Sequence, residues 1–236
     1  FLDLAEQAKA ACKSSGPKII EVEDTTVNFY KSGKYMEYEE FLNSGDENFC
    51  WITPEDEWES ISLSYTSGTT GRPKGVVCHH RGSYLMTMGT VISWKMQLYP
   101  RYLSIVPLFH CNGWNHTWMM PVLGGSVHFC RDITSLDIYT AIAENEITHF
   151  GGAPIILNMI INSKESDRRE FKHIVEVFTA GAPPAPTTLS AIESLGFNVT
   201  QVYGLTETYG HVTECVWDES WNSESEETKA AIKARQ

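Results

Sequence analysis

A loop rich in glycine and hydroxyl residues carries the strongest chemical signal in the sequence. Residues 65–75 read YTSGTTGRPKG, in which the glycines free the backbone and Arg72 and Lys74 place two cations at the exit. Backbone N–H groups in such a turn form an anion nest, to which Lys74 adds a point charge. The spacing is not the Walker pattern, because Lys74 follows Pro73 and precedes Gly75. A turn that only joins two elements is the alternative, but eleven specified positions in a row favour a phosphate-binding loop.

The elements around this loop predict an α/β fold. The apolar run ISLSY before the loop, and Leu85, Met88 and Ile92 at helical spacing after it, predict a strand, a loop and a helix. Further buried strands are predicted at Tyr102–Val106, Ser126–Phe129, Ile147–Phe150, Val175–Phe178 and Val199–Tyr203. Helices are predicted at Leu136–Glu146, Pro154–Ile161 and Ala185–Gly196, and a short one at the carboxyl end of the chain. This alternation indicates mainly parallel sheets flanked by helices.

Composition excludes several classes of function. The chain has 236 residues, of which 42% are hydrophobic and 20% charged, as in globular proteins. Its 18 basic and 30 acidic residues give a net charge of −12, which repels phosphate backbones and makes nucleic acid an unsuitable partner. The longest stretch without Asp, Glu, Lys or Arg, from Tyr102 to Cys130, contains prolines, histidines and glycines. We therefore expect a buried core segment there and no transmembrane segment.

The sequence also suggests how the chain is organised. Residues 1–60 are predicted to be an acidic, partly irregular lead-in, and residues 61–236 the main part of the domain. The acidic run between Lys34 and Arg72 is interpreted as solvated surface rather than as a cation site. The amino end lacks a basic start followed by an apolar run, so we expect no signal peptide and an intracellular, cytoplasmic protein. The six scattered cysteines predict reduced thiols, and a metal site formed by His110, Cys111 and His116 is not favoured, because a second properly spaced pair is missing.

Four segments resemble motifs of the adenylate-forming superfamily, which includes acyl-CoA synthetases, firefly luciferase and the adenylation domains of nonribosomal peptide synthesis. The loop at 65–75 resembles its signature, and QVYGLTET at 201–208 resembles its YGxTE motif. TAGAPP at 179–184 is similar to its adenine-pocket turn, and PLFHCNGW at 107–114 to the segment that lines the acyl pocket. Together, FHCNGW, THFGGAP and TETYG most resemble acyl-activating enzymes of the plant benzoate-CoA ligase type and their bacterial fatty acyl-CoA synthetase relatives. The resemblance covers nearly the whole chain from about Ile61 and implies a partial adenylate-forming N-terminal domain.

This resemblance implies a nucleotide site and an order of roles within it. The nucleotide-binding residues it implies are Thr66, Ser67, Gly68, Thr69, Thr70, Gly71, Lys74, Gly181, Ala182, Pro183, Tyr203, Gly204 and Thr206. Tyr203 would stack on adenine with its hydroxyl in water, although a core tyrosine is the alternative. Thr206 would offer its hydroxyl to the α-phosphate, and Glu207 would bind Mg²⁺ bridging phosphate oxygens. Alone, a Thr-Glu pair is more typical of a helix cap.

The implied catalytic residues are Lys74, His110, Thr206 and Glu207. His110 would border the carboxylate and the path of the thiolate, although a single histidine in an apolar segment is more often a hydrogen-bonded core residue. Trp114, Trp118 and Met119 would shape an apolar acyl pocket, although aromatic residues at helical spacing are core packing at least as often.

The resemblance implies an ATP-dependent carboxylic acid:CoA ligase, with ATP, Mg²⁺ and CoA as cofactors and co-substrate and a small carboxylic acid as partner. It stops at Gln236 and lacks the Asp for the ribose, the hinge Arg and the mobile C-terminal domain, so we expect a fragment that turns over little or nothing by itself. Two alternatives stay open: a non-catalytic nucleotide- or acyl-binding module, and an amino-acid adenylation domain that loads a carrier protein. The acid, the oligomeric state and a peroxisomal signal are not specified by the sequence.

Overall fold

The computed structural model describes residues 1–13, 16–26, 32–68 and 71–235. Its contacts divide the chain into two units, Phe1–Thr53 and Pro54–Gln236. The structural boundary thus follows Thr53, whereas the sequence pattern predicts one after residue 60. The roles of a lead-in segment and a nucleotide-binding core stay predictions.

The first unit contains two helices and a short parallel ladder. Its elements are α1 (Leu2–Ala11), β1 (Ile20–Glu21), β2 (Met36–Glu37) and α2 (Tyr38–Asn43). β1 pairs with β2, and the Glu37 carboxylate caps α2 by accepting hydrogen bonds from the backbone N–H groups of Glu39 and Glu40. Neither helix contains a fully buried residue, whereas Glu21 of β1 is only 6% exposed.

The second unit alternates strands and helices along the chain. Its elements are β3 (Ser60–Thr66), β4 (Lys74–His79), α3 (His80–Ser93), β5 (Arg101–Ser104), α4 (Cys111–Trp114), α5 (His116–Leu123), β6 (Ser126–Phe129), α6 (Ser135–Asn145), β7 (His149–Gly152), α7 (Pro154–Ile161), β8 (Val175–Thr179), α8 (Pro186–Glu193), β9 (Phe197–Leu205), β10 (Gly210–Glu214) and α9 (Glu226–Lys233). Short 3-10 helices lie at Glu165–Asp167, Thr206–Thr208 and Glu219–Ser223. The observed bounds of β6 and α7 are those that the sequence predicts, Ser126–Phe129 and Pro154–Ile161.

A six-stranded sheet forms the centre of this unit, with the strand order β10-β9-β8-β7-β5-β6. Its five strands from β5 to β9 pair in parallel, and only the edge strand β10 is antiparallel. The pairing of β10 with β9 is irregular between His211 and Thr213. The predicted fold class, a mainly parallel α/β sheet flanked by helices, is confirmed.

Both faces of the sheet are covered, as a parallel sheet requires. On one face, Val177 of β8 packs with Ile142, Leu157 and Leu189 from α6, α7 and α8, and all four side chains are completely buried. The next residue of β8, Phe178, points to the other face because successive strand residues alternate. There it joins a second cluster with Trp94, Tyr102, Met119, Met120 and Val202.

The predicted phosphate loop connects two strands rather than a strand and a helix, and this corrects the sequence prediction. β3 and β4 form an antiparallel hairpin in which Thr66 pairs with Lys74 across the loop. Helix α3 begins only after β4. The run from Lys74 to His79 contains Val76 and Val77, which favour a strand, but its apolar residues are consecutive and do not alternate with polar ones, so no half-buried strand pattern marks it.

Helix α3 is present where Leu85, Met88 and Ile92 predict a helix, but its buried residues are Ser83, Thr87 and Thr90. The hydroxyls of Thr87 and Thr90 donate hydrogen bonds to the carbonyl oxygens of the residues four positions earlier, at 2.8 and 2.9 Å. Because the two hydroxyl groups are hydrogen-bonded to the backbone of their own helix, the threonines can be buried without partners from other elements. Leu85 and Ile92 are exposed.

The uncharged stretch from Tyr102 to Cys130 is divided among β5, α4, α5 and β6. Tyr102, Met119 and Met120 within it are almost completely buried, which agrees with a core segment. Within the described ranges of the chain, no helix combines the length and apolar character needed to cross a membrane.

Candidate active site

The loop between β3 and β4 is shaped by a glycine that no other residue can replace without strain. Gly68 has φ +63°, and a Cβ at this position would lie 2.6 Å from the carbonyl oxygen of Arg72. The Lys74 side chain lies beside Gly68, with two carbons 3.4 Å from the same Cβ position. Lys74 is exposed and forms no ion pair among the described residues. A free ammonium therefore stands next to a backbone held open by glycine.

A tight turn after β9 carries the Thr206-Glu207 pair. The 3-10 helix Thr206–Thr208 is followed by Tyr209 with φ +66°, where the chain reverses into β10. The Thr208 hydroxyl closes the turn: it accepts a hydrogen bond from the Leu205 N–H at 2.9 Å and lies 2.8 Å from the carbonyl oxygen of Gly210. Any Cβ on Gly204 would overlap Gly210, so glycine allows β9 and β10 to approach here.

Contacts from outside the turn fix its position, and none of the residues that make them is among the predicted site residues. The Tyr209 hydroxyl accepts a hydrogen bond from the His79 N–H at 3.2 Å, and the Tyr209 carbonyl accepts one from the Asn115 side-chain amide. The Cys111 thiol lies 3.6 Å from the Thr206 carbonyl. These partners come from β4 and from the segment around α4, more than 90 residues away along the chain. No local pattern marks them.

The segment before α5 bends sharply and brings His110 to the site. Cys111, Asn112, Trp114 and Asn115 all have φ between 48° and 60°, which is the left-handed region. His110 is exposed at the start of α4, and its ring packs at a tilt against Phe109. Trp114, in the same segment, is half-buried.

One cavity of about 500 Å³ joins these parts. Nine of the residues predicted for the site line it: Thr66, Ser67, Gly68, Lys74, His110, Gly181, Gly204, Thr206 and Glu207. Gly71, Ala182, Pro183 and Tyr203 are described and exposed but do not line it. Thr69 and Thr70 lie outside the described residues. The contact of Tyr203 and Ala182 with adenine therefore stays a prediction.

The cavity lies at the carboxyl ends of the parallel strands, where open α/β sheets bind ligands. Ala180 and Gly181 follow β8 directly, Leu205 ends β9, and Thr206 follows it. The phosphate-loop residues and the Thr-Glu turn thus meet at one place, although more than 120 residues separate them in the sequence. Trp114 lines the cavity, whereas Trp118 is partly exposed elsewhere and Met119 is completely buried in the second cluster.

His116 lines the same cavity and is only 2% exposed. Its Nδ1 lies 2.9 Å from the Tyr102 hydroxyl, so it is hydrogen-bonded and not free to bind a metal through that nitrogen. Burial, together with smaller effects of the neighbouring His211 and His149, lowers the pKa of His116 to about 3. The imidazole is therefore neutral at physiological pH.

His211, on β10, also lines the cavity. Its Nε2 lies 3.3 Å from the Ser93 hydroxyl and 3.5 Å from the Glu214 carboxylate. Burial lowers the pKa of His211, while Glu214 raises it less strongly. Phe178 packs edge-on against His211 and His116, so both imidazoles border the same aromatic ring.

Magnesium fits the rim of this cavity through one protein carboxylate. Glu207 is exposed, and among the described residues its carboxylate has no hydrogen-bonding partner. The described part of the chain has no cluster of three or more His, Cys, Asp or Glu that would form an all-protein metal site. Mg²⁺ typically binds through one or two carboxylates together with substrate phosphates and water, so this donor set suits an ion that arrives with a nucleotide.

Comparison with known proteins identifies the type of chain. The sequence matches the family described as AMP-binding enzyme over residues 4–232. It is 44% identical to the peroxisomal acetate/butyrate–CoA ligase AAE7 of Arabidopsis thaliana, covering 100% of this chain and 44% of that protein. It is 39% identical to the peroxisomal trans-cinnamate:CoA ligase of Petunia hybrida, covering 97% and 40%. The chain thus spans about two-fifths of the length of these curated relatives.

Solved structures show the same fold. The N-terminal domain of FACL13 from Mycobacterium tuberculosis, bound to an inhibitor, superposes with a TM-score of 0.69 at 20% identity, covering 92% of this chain and 52% of that one. The o-succinylbenzoate coenzyme A synthetase MenE from Bacillus subtilis, in complex with ATP and magnesium ion, gives the same TM-score at 20% identity, covering 94% and 46%. At this identity the likeness concerns the fold.

Proposed function

Because the chain belongs to the AMP-binding enzyme family, we propose that the protein containing it is an ATP-dependent carboxylic acid:CoA ligase. The observation that carries the proposal is the single cavity in which Gly68 and Lys74 meet Thr206 and Glu207. A nucleoside triphosphate with its magnesium ion is bound by groups of this kind: a free ammonium, backbone N–H groups made accessible by glycine, a hydroxyl and a carboxylate.

The proposed reaction has two steps. First, a carboxylate oxygen of the acid forms a bond to the α-phosphorus of ATP, and the bond to pyrophosphate breaks, which gives an acyl-adenylate. Then the CoA thiolate forms a bond to the acyl carbon, and the bond to AMP breaks. The first step needs no general base, because a carboxylate is already anionic at neutral pH. The step is accelerated by the positioning of the reactants and by neutralisation of charge on the phosphates, as in other phosphoryl transfers.

The chain's own residues supply that positioning. We assign Lys74 to the β- and γ-phosphates, because it is the only Lys or Arg among the described residues that line the cavity. Thr206 is assigned to the α-phosphate and Glu207 to Mg²⁺, which would neutralise charge on the phosphate oxygens when bound. The contacts that Tyr209 and Cys111 make between distant parts of the sequence hold Thr206 and Glu207 in place.

The other predicted site residues are assigned roles from their positions in the cavity or beside it. His110 is exposed beside Cys111 and Trp114, where it is suited to border the acid's carboxylate and the incoming thiolate. Gly181 has φ +90° with open space around it, which lets a flat base approach the backbone. Ala182, Pro183 and Tyr203 are proposed to complete the adenine contacts around it. Thr69, Thr70 and Gly71 are proposed to complete the phosphate loop.

Relatives support this class of substrates and a cellular location. The names of the relatives specify acetate or butyrate and trans-cinnamate as the acids that they activate. We propose small carboxylic acids of this kind, together with ATP, Mg²⁺ and CoA, as the ligands of this protein. Because two relatives are named peroxisomal, we also propose an intracellular location, in the cytoplasm or in peroxisomes.

Acid-dependent release of pyrophosphate tests the proposal. The protein is incubated with ATP and Mg²⁺ and with acetate, butyrate or trans-cinnamate, and the thioester is sought by mass spectrometry after CoA is added. Glu207→Gln should abolish most of the release, whereas Glu144→Gln, on the exposed side of α6, should not. Nucleotide binding without release would support the binding-module alternative, and release that depends on amino acids would support an amino-acid adenylation domain.

A further inference from the structure

Two imidazoles border the cavity beyond the phosphate-binding residues, and the proposed reaction gives neither of them a role. They belong to His116 and His211. We propose that they form a recognition site for a hydroxyl group on the far end of the carboxylic acid, so that the preferred substrate is a short hydroxy acid. The inference rests on the proposed function, because it deepens the specificity of the same cavity.

His116 supplies the hydrogen-bond donor of this site. Burial raises the pKa of the Tyr102 phenol, and a hydrogen bond with the Gly151 backbone opposes this rise, which means that the backbone donates to the phenol oxygen. The Tyr102 O–H is then free to donate to Nδ1 of His116, 2.9 Å away. A neutral imidazole that accepts at Nδ1 carries its hydrogen on Nε2. His116 therefore offers an Nε2–H to a ligand.

His211 supplies the acceptor. Its Nε2 faces the Ser93 hydroxyl at 3.3 Å and the Glu214 carboxylate at 3.5 Å. The Glu214 Oε2 atom is buried without another hydrogen-bond partner among the described residues, so an N–H directed at it is favoured. With its hydrogen on Nε2, His211 keeps a free lone pair on Nδ1.

Both imidazoles line the same cavity and pack against the same ring, that of Phe178. The cavity thus holds a donor and an acceptor, which together are complementary to a hydroxyl, because a hydroxyl accepts one hydrogen bond and donates another. A carbonyl oxygen would satisfy only His116, and an alkyl group would satisfy neither. A second carboxylate is disfavoured, because the two imidazoles are neutral and Glu214 stands behind one of them. Lys74, the only Lys or Arg among the described lining residues, belongs to the phosphate loop.

The rest of the cavity sets the length of the acid. Trp114 and Val202 give it apolar walls beside the imidazoles, which suit a short aliphatic stem. A volume of about 500 Å³ must also accommodate the adenylate, and pockets of this size bind a single small ligand. The hydroxyl is therefore expected a few carbons from the carboxylate.

A pair of non-hydrolysable acyl-adenylate analogues tests this specificity. Calorimetry compares the binding of 4-hydroxybutanoyl-sulfamoyladenosine with that of the pentanoyl analogue, which has the same number of non-hydrogen atoms, to the protein. The hydroxyl analogue should bind about tenfold more tightly, since one net hydrogen bond of about 1.4 kcal/mol corresponds to that factor. The unacylated sulfamoyladenosine measures the nucleotide site alone.

Substitutions connect the preference to the two histidines. His116→Phe and His211→Phe keep a ring of similar size, and each should remove the preference for the hydroxyl analogue while leaving unacylated sulfamoyladenosine bound. His149→Phe is the matched control, because His149 is also buried and packs on Trp94 but does not line the cavity. The control should keep the tenfold preference.

Different results overturn different claims. If the wild-type protein binds the pentanoyl analogue as tightly as the hydroxyl analogue, or a succinyl analogue more tightly than both, this inference is wrong while the proposed function stands. If unacylated sulfamoyladenosine and both acyl analogues fail to bind, the proposed function is wrong, and this inference falls with it. The comparison of analogues on the wild-type protein needs no variant to fold.

Discussion

The phenolic oxygen of Tyr209 accepts a hydrogen bond from the backbone N–H of His79 at 3.2 Å. This bond joins the turn that carries Thr206 and Glu207 to strand β4, which begins at Lys74. The ring of Tyr209 also packs edge-on against the His79 ring, 5.2 Å between centroids. The two halves of the proposed phosphate site are thus held together by one aromatic side chain that is not among the predicted site residues.

The packing of Tyr209 leaves no room for a side chain at Gly82. A Cβ there would lie 2.5 Å from Cε1 and 2.8 Å from the hydroxyl of Tyr209. We expect Gly82→Ala to lower the free energy of unfolding by about 1–3 kcal/mol, as overpacking does. Urea denaturation measures this loss.

A double-mutant cycle isolates the cause. In a Tyr209→Ala background the clash is gone, and Gly82→Ala in helix α3 should be neutral or stabilise by up to about 0.5–1 kcal/mol, because alanine favours a helix over glycine. An equal loss in both backgrounds would show that Tyr209 does not occupy this space.

Gly68 and Gly71 allow a matched test of the phosphate loop. Both have positive φ, but only at Gly68 would a Cβ meet another atom, the Arg72 carbonyl oxygen. Each alanine substitution should cost about 1–2 kcal/mol of backbone strain. Only Gly68→Ala should also displace the loop. We therefore expect it to weaken ATP binding on the order of tenfold more than Gly71→Ala does, and a tenfold change in the dissociation constant corresponds to about 1.4 kcal/mol. Calorimetric titration with ATP provides the two dissociation constants, and equal values would contradict the described loop geometry.

Buried neutral histidines predict a loss of stability in acid. The pKa of His116 is lowered by burial to about 3 and that of His149 to about 4, from an ordinary value of 6.5. Below pH 6.5 the unfolded chain takes up protons at these positions while the folded chain does not. The free energy of unfolding should therefore fall with decreasing pH, by up to about 1.4 kcal/mol per pH unit for each histidine.

Urea denaturation across the range from about pH 7 to pH 4, where this linkage acts, measures the slope for wild type and for His116→Phe. The variant should have the shallower slope, because one of the groups is missing. His128→Gln serves as the control, since His128 lies on the edge strand β6 outside the buried cluster. A slope unchanged by His116→Phe would mean that this imidazole is protonated in the folded protein.

The parallel sheet could be predicted because its strands and helices are written locally in the sequence. The helix Pro154–Ile161 has a proline in its first turn and a regular apolar pattern, and its predicted bounds are the observed ones. The sequence does not predict strand β4, because its pairing with β3 is decided by the hairpin and not by a pattern of its own. The buried threonines of α3 could not be predicted either, because apolar spacing pointed to the opposite face.

The proposed site also has a part that the sequence predicts and a part that it does not. Lys74, Thr206 and Glu207 stand in motifs whose residue types indicate phosphate and metal binding, and the structure brings all three to one cavity. His116 and His211 have no motif, and their state depends on Tyr102, Ser93 and Glu214, which lie on other elements. Burial and hydrogen-bond partners of this kind arise only when the chain folds.

We propose that Lys74 binds the phosphates that leave in the first half of the reaction. In the protein that contains this chain, Lys74→Ala should slow acyl-adenylate formation about ten- to a hundredfold, because a charge-assisted hydrogen bond contributes about 1.5–3 kcal/mol. Thioester formation from a synthetic acyl-adenylate should change much less, because the β- and γ-phosphates have already left. Lys172→Ala, at an exposed surface position, is the control and should affect neither half.

The decisive measurement is the rate of each half-reaction for wild type, Lys74→Ala and Lys172→Ala, with a thermal melt on each protein. We expect a loss confined to adenylate formation and a Tm of Lys74→Ala close to that of wild type, since Lys74 is exposed and forms no ion pair among the described residues. Equal losses in both half-reactions together with a lower Tm would contradict it, and would show that Lys74 supports the fold instead of binding phosphate.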